Sequence, residues 1–183
     1  GTAEICKDDA FPIITFTGSN GTSPYTFTYN VNGGSNQTIT SSVNTATISV
    51  PSGIAGSYTY SLISVRDAST TSCNQPQTGS AVITINPLPS ATIGGTTSVC
   101  RNATPPNITF NGSGGTAPYT FTYTINSGSN LTVTTSTGNT ATVAVPTGTV
   151  GTYTYALVSV QDASSTACNR AQTGGATVTV NPL

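Results

Sequence analysis

Pro24-Tyr25-Thr26-Phe27-Thr28-Tyr29 recurs later in the chain as Pro118-Tyr119-Thr120-Phe121-Thr122-Tyr123. Side chains on a strand point alternately to its two faces. Tyr25, Phe27 and Tyr29 therefore share one face, and Thr26 and Thr28 share the other, the pattern of a half-buried strand. The repetition extends outward from this stretch. Cys6 to Phe16 aligns with Cys100 to Phe110, and Val50-Pro51 with Val145-Pro146 after one inserted residue near Gly138. Asp67-Ala68-Ser69 then matches Asp162-Ala163-Ser164, and Asn86-Pro87-Leu88 matches Asn181-Pro182-Leu183. Self-similarity on this scale marks two copies of one unit, residues 1–88 and 89–183. Asn86-Pro87-Leu88-Pro89-Ser90 joins them, and its prolines limit bending.

Within each copy, β-type runs alternate with turn chemistry. Copy one reads as strands over residues 13–17, 25–31, 37–41, 46–50, 58–65 and 81–85. Between them, Gly18-Ser19-Asn20-Gly21, Asn32-Gly33-Gly34 and Pro51-Ser52-Gly53 supply residues that tolerate positive φ. No window places apolar residues at helical spacing among helix formers. The expected fold is all-β: two tandem β-sandwiches of the seven-stranded type with essentially no helix. Gly1 aligns with Gly95, so copy one lacks the equivalent of Ala91-Thr92-Ile93-Gly94 and its opening strand is incomplete. The expectation is a window from a longer array. The alternative is a domain that accepts a strand from a neighbour, although no spare donor follows Leu183.

Composition removes whole classes of function. Charged residues are 5% of the chain, against about 25% in an ordinary domain. Lys7, Arg66, Arg101 and Arg170 oppose Glu4, Asp8, Asp9, Asp67 and Asp162, for a net charge of −1. Four scattered cations make no footprint for nucleic acid. There is no His, which removes a histidine general base and the commonest metal ligand. No run of 18 apolar residues occurs, so no membrane insertion is expected. Thr and Ser together supply 60 of 183 residues, 38 and 22 respectively. Net charge near zero and Thr-rich strand edges both favour association between copies.

Candidate sites are few. Asp67 and Asp162 hold equivalent positions before Ser/Thr-rich loops; a lone acid there is expected to cap a turn rather than hold Ca²⁺. Asp8-Asp9 becomes Asn102-Ala103 in copy two, so it is not a feature of the unit. Glu4 with Asp8 is the nearest approach to a glycosidase pair and is not expected to act as one. The tyrosines Tyr25, Tyr29, Tyr58 and Tyr60 could stack on sugars, but their alternation predicts core packing. The Asn-x-Ser/Thr sequons at Asn20, Asn36, Asn102, Asn107, Asn111 and Asn130 are as many as this composition gives by chance. No catalytic residue, metal site or cofactor is expected.

The four cysteines are Cys6 and Cys73 in copy one, and Cys100 and Cys168 in copy two. All four are expected in disulfides, which places the chain in an oxidising compartment outside the cytoplasm. Two registers fit the sequence. Cys6–Cys73 and Cys100–Cys168 would make each repeat self-sufficient and, in the chain-entropy account, contribute about 4 kcal/mol apiece. Alternatively Cys73 joins Cys100, leaving Cys6 and Cys168 for neighbouring units.

Ser98-Val99-Cys100-Arg101-Asn102, Ile108-Thr109-Phe110, Thr116-Ala117-Pro118-Tyr119-Thr120-Phe121-Thr122-Tyr123, Val158-Ser159-Val160-Gln161-Asp162 and Val178-Thr179-Val180-Asn181-Pro182-Leu183 carry a resemblance that covers nearly the whole chain. The chain resembles the Ig-like/PKD-like tandem repeats of large Bacteroidetes cell-surface proteins, the gliding-motility-type adhesins. The resemblance implies Ig-like sandwiches, export by the type IX secretion system and a place on the cell surface, with no active site to carry over. The expected function is structural: a rigid stalk or a self-assembling surface filament of an adhesin. Its partners would be other copies of itself or neighbouring repeats. The alternative is a module that binds a surface glycan or protein ligand.

Overall fold

Alternating β-branched and aromatic residues can bury one face only by packing sheet on sheet, and this is what they do. A computed structural model describes all 183 residues, Gly1–Leu183. It contains seventeen strands and no helix. The chain divides into two compact units, Gly1–Asn86 and Pro87–Leu183. Each is an Ig-like β-sandwich, so the fold is all-β as the alternation predicts.

The first unit holds β1 (Ala3–Cys6), β2 (Ile13–Thr17), β3 (Thr26–Val31), β4 (Gln37–Thr40), β5 (Thr45–Ser49), β6 (Gly56–Arg66), β7 (Asn74–Pro76) and β8 (Ser80–Asn86). One sheet runs β1-β8-β6-β3-β4, with β7 beside β6, and the other pairs β2 with β5. The second unit holds β9 (Ser90–Gly94), β10 (Thr97–Cys100), β11 (Asn107–Ser113), β12 (Thr120–Ile125), β13 (Leu131–Thr134), β14 (Thr140–Ala144), β15 (Gly151–Gln161), β16 (Asn169–Ala171) and β17 (Gly175–Asn181). Its large sheet runs β10-β17-β15-β12-β13 with β16 beside β15, and its smaller sheet runs β14-β11-β9. The opening strand pairs in parallel with the last one in both units: Cys6 lies opposite Asn86 and Cys100 opposite Asn181.

The aromatic stripe of the repeated stretch forms each core. Phe27 and Phe121 are fully buried, and Phe16 and Phe110 stack on them at 5.5 and 5.6 Å between ring centroids. Tyr29 and Tyr123 extend the stack to Tyr60 and Tyr155. In both units the register of the long strand shifts, between Thr28 and Tyr29 on β3 and between Thr122 and Tyr123 on β12. Ile63 and Val158 are the residues without an opposite number, and this bulge leaves both exposed.

Tyr25 and Tyr119 lock the loop ahead of their strands. Each follows a cis prolyl bond, Ser23-Pro24 or Ala117-Pro118. Their hydroxyls donate to the carbonyls of Gly21 at 2.7 Å and Gly115 at 2.8 Å. Their backbone N–H groups donate to the buried hydroxyls of Ser41 and Thr135.

Candidate functional site

The residues of the unit that carry chemistry gather at its two ends rather than in a cleft. At one end sits the loop between β6 and β7, closed by Asp67. Its Oδ1 accepts from the Ser69 hydroxyl at 2.8 Å and the Cys73 N–H at 2.9 Å. Its Oδ2 accepts from the Thr22 N–H at 3.1 Å, tying in the neighbouring loop. These donors, the Ser69 hydroxyl first and the Thr22 N–H next, hold the Asp67 carboxyl below the usual range. Their contribution is complete above the unfolded carboxylate value near 4 and fades as pH falls through the lowered one.

Asp162 closes the equivalent loop of the second unit by hydrogen bonding. Oδ1 accepts from the Ser164 hydroxyl at 2.7 Å and the Ser164 N–H at 3.3 Å, and Oδ2 from the Thr116 N–H at 3.0 Å. A Cβ on Gly115 would stand 2.5 Å from Asp162 Oδ2, so only glycine lets the carboxylate approach this closely. Both acids thus cap loops, and no group of three His, Cys, Asp or Glu comes together to hold a metal ion. Asp162 is buried whereas Asp67 is more open. Asp162→Ala, which strands the donors of a buried carboxylate, is expected to cost about 2 kcal/mol in denaturant unfolding. Asp67→Ala should cost clearly less; equal losses would contradict the assignment by burial.

The cysteines stand at the two ends. Thr71 Oγ1 lies 3.2 Å from Cys73 Sγ, and Thr166 Oγ1 lies 3.2 Å from Cys168 Sγ, so the two loops are built alike. Cys6 closes β1 beside Asn86, one residue past the Gly56↔Ile85 pair, whereas Cys73 lies beyond Arg66 at the far end of β6. Ten residues of strand at 3.3 Å each put about 30 Å between those ends. A disulfide needs Cα atoms within about 7 Å. Cys6–Cys73 closure within a unit is therefore ruled out, and Cys100–Cys168 fails for the same reason, because Cys100 lies opposite Asn181 and Cys168 follows the Gln161 end of β15. Cys6 and Cys168 are the disulfide-bonded residues, and Cys73 and Cys100 are free and exposed.

Of the tyrosines that could stack on sugars, Tyr58 and its copy Tyr153 are half-buried, and the others lie in the cores. Tyr25, Tyr29 and Tyr60 and their copies Tyr119, Tyr123 and Tyr155 are buried. Burial first, then the neighbouring Tyr29 and Tyr58, raises the Tyr60 hydroxyl above its ordinary value; Tyr123 and Tyr153 join burial in doing so for Tyr155. Stability from these rings is complete below a pH of about 10 and is lost as pH rises through their raised values. A melting temperature held to about pH 10 and falling beyond it, together with tyrosinate absorbance, is the expected result. A fall that begins near neutrality would contradict it. Glu4 on β1 and Asp8 in the next turn are both exposed, and Asp9 instead accepts the Cys6 N–H at 3.0 Å. No helix is long and apolar enough to cross a membrane.

No family model and no curated protein matches the sequence. Solved structures do. A Ca²⁺-stabilised adhesin with which an Antarctic bacterium binds ice matches 93% of this chain at 16% identity and a TM-score of 0.44. A 1.5-MDa bacterial ice-binding adhesin, studied for its retention at the host cell surface, matches 98% at 17% identity and a TM-score of 0.45. A tetra-tandem repeat from the extending region of a large adhesion protein matches 97% at 14% identity and a TM-score of 0.42. The chain spans 44%, 60% and 48% of those three chains, respectively.

Proposed function

We propose that this chain is a structural extracellular repeat, part of a rigid stalk or of a self-assembling surface filament of a bacterial adhesin, with its units linked in series by disulfides. One observation carries the reading. Each unit has a cysteine at both ends, too far apart to bond to each other. One of each kind is bonded, Cys6 of the first type and Cys168 of the second, while Cys73 and Cys100 are free and exposed. A chain whose spare thiols are of opposite types can extend in both directions by the same first-to-second pairing.

Each further link removes two protons and two electrons from two thiols. A disulfide-bearing oxidant takes them by exchange. One thiolate attacks it to form a mixed disulfide, the second displaces the remaining oxidant sulfur, and the oxidant leaves as two thiols. The low charge supports the same reading: it leaves little repulsion between copies and only four sites for trypsin-like proteases. The surface of a bacterium of the Bacteroidetes type, reached through type IX secretion, is the setting that the sequence resemblance suggests.

Electron microscopy of the chain, oxidised and then reduced, tests this. The expected result is serial assemblies of regularly spaced units that shorten when the disulfides are cut. Isolated pairs of units at every concentration, before and after oxidation, would sink the serial reading.

A further inference from the structure

The large sheet of the first unit turns a polar face outward, opposite the one that buries Phe27 and Tyr29. Strand pairing sets two rows of side chains on it. Thr40, Thr26, Arg66 and Asn74 lie side by side from β4 to β7, and Thr38, Thr28 and Ser64 form the row beside them. All of these but Thr40 line an open trough of about 500 Å³ whose lining is entirely polar. Its groups are unspent. The Thr28, Thr38 and Ser64 hydroxyls, the Asn74 amide and the Arg66 guanidinium have no partner within the chain. Asp67, next to Arg66 in sequence, commits both carboxylate oxygens to the donors of its own loop. The second unit keeps the hydroxyls and lacks the charge. Thr120, Thr122, Thr132, Ser159 and Asn169 hold the equivalent places, but Gln161 stands where Arg66 does, and its Nε2 donates to the Ala167 carbonyl at 3.2 Å.

We propose that this trough binds a saccharide that carries a carboxylate, a uronic-acid sugar, with the carboxylate on Arg66 and the ring hydroxyls on the Thr and Ser rows. A guanidinium presents a planar fork that fits a carboxylate through two parallel hydrogen bonds. A hydroxyl side chain both donates and accepts, as a sugar hydroxyl does, so a grid of them matches the edge of a sugar ring. The polar lining offers nothing to a lipid chain or an aromatic ligand, and the volume falls among small-molecule sites of roughly 300–1,000 Å³. A single exposed cation makes the binding weak and sensitive to salt. The site goes beyond the structural role and is the same for a stalk spacer and for a filament subunit.

The test titrates the whole chain at low salt with digalacturonate, with the neutral disaccharide digalactose and with inorganic sulfate, and follows amide resonances. Saturable shifts at Thr26, Thr28, Ser64 and Arg66 are expected with digalacturonate, while Thr120, Thr122 and Ser159 stay in place and serve as the internal control. Arg66→Gln, which gives the first unit the side chain of the second, should weaken binding by about tenfold or more and leave the unfolding midpoint unchanged, because Arg66 is exposed. Digalactose and sulfate should each bind more weakly than digalacturonate by a similar factor. Equal binding of digalactose would make the carboxylate irrelevant, and equal binding of sulfate would make the trough a site for any anion; either overturns the proposal. So would equal shifts in both units, digalacturonate binding that survives Arg66→Gln, or no saturable shift at all.

Discussion

Phe121→Ala is expected to remove about 3–5 kcal/mol from the second unit, enough to unfold it at temperatures where the first unit stays folded. The magnitude follows from position. Phe121 has no exposed surface, stacks on Phe110 at 5.6 Å and lies 6.4 Å from Tyr119. Truncation loses the transfer energy of a ring and leaves a cavity between two sheets whose strands cannot close without breaking their ladders. A domain of this size has roughly 5–15 kcal/mol in all. Because each unit has its own core, the first unit's denaturant transition should not move. Phe27→Ala should reverse the pattern. A loss under about 1 kcal/mol, or a loss shared by both transitions, would contradict the reading of two independent cores.

Gly112→Ala adds one methyl and is expected to cost about 3 kcal/mol, the upper range for overpacking. An added Cβ would stand 2.6 Å from Cγ of the Tyr119 ring, inside any permitted contact. The ring has little room to retreat. It is 2% exposed, and its hydroxyl is tied to the Gly115 carbonyl at 2.8 Å. The strand could move instead, but β11 is clamped between β9 and β14. A Cβ added at Gly18 would likewise run into the Tyr25 ring in the first unit, where β2 pairs with β5 alone. Gly18→Ala should therefore cost less than Gly112→Ala, as the backbone can yield. Chemical denaturation of the two variants measures the difference, and a negligible loss for Gly112→Ala would show that the tyrosine is less firmly held than its contacts imply.

The sheet architecture was legible where a residue's own preference and its pairing agree. Residues 13–17 read as a strand and form β2 with those limits, because Ile14 and Phe16 alternate inward. The strand read from residue 25 starts at Thr26 instead, since the Tyr25 N–H goes to the Ser41 hydroxyl. Strand β6 outruns its expected 58–65 at both ends, where Gly56 and Ser57 pair with β8 and Arg66 pairs with β7. Strand β7 has no signal in Asn74-Gln75-Pro76; its conformation is imposed by Ser64 to Arg66. The cysteine register was illegible for a related reason. Separation along the chain does not say which end of a sandwich a residue occupies, and that depends on the parallel pairing of β1 with β8.

If the units are linked in series through their ends, disulfide mapping of the native protein will show it. Non-reducing digestion and mass spectrometry should find Cys73 peptides joined to a Cys100-type cysteine of another repeat, with Cys6 and Cys168 also oxidised. Cys6–Cys73 and Cys100–Cys168 peptides, or Cys73 and Cys100 recovered as thiols throughout, would contradict it.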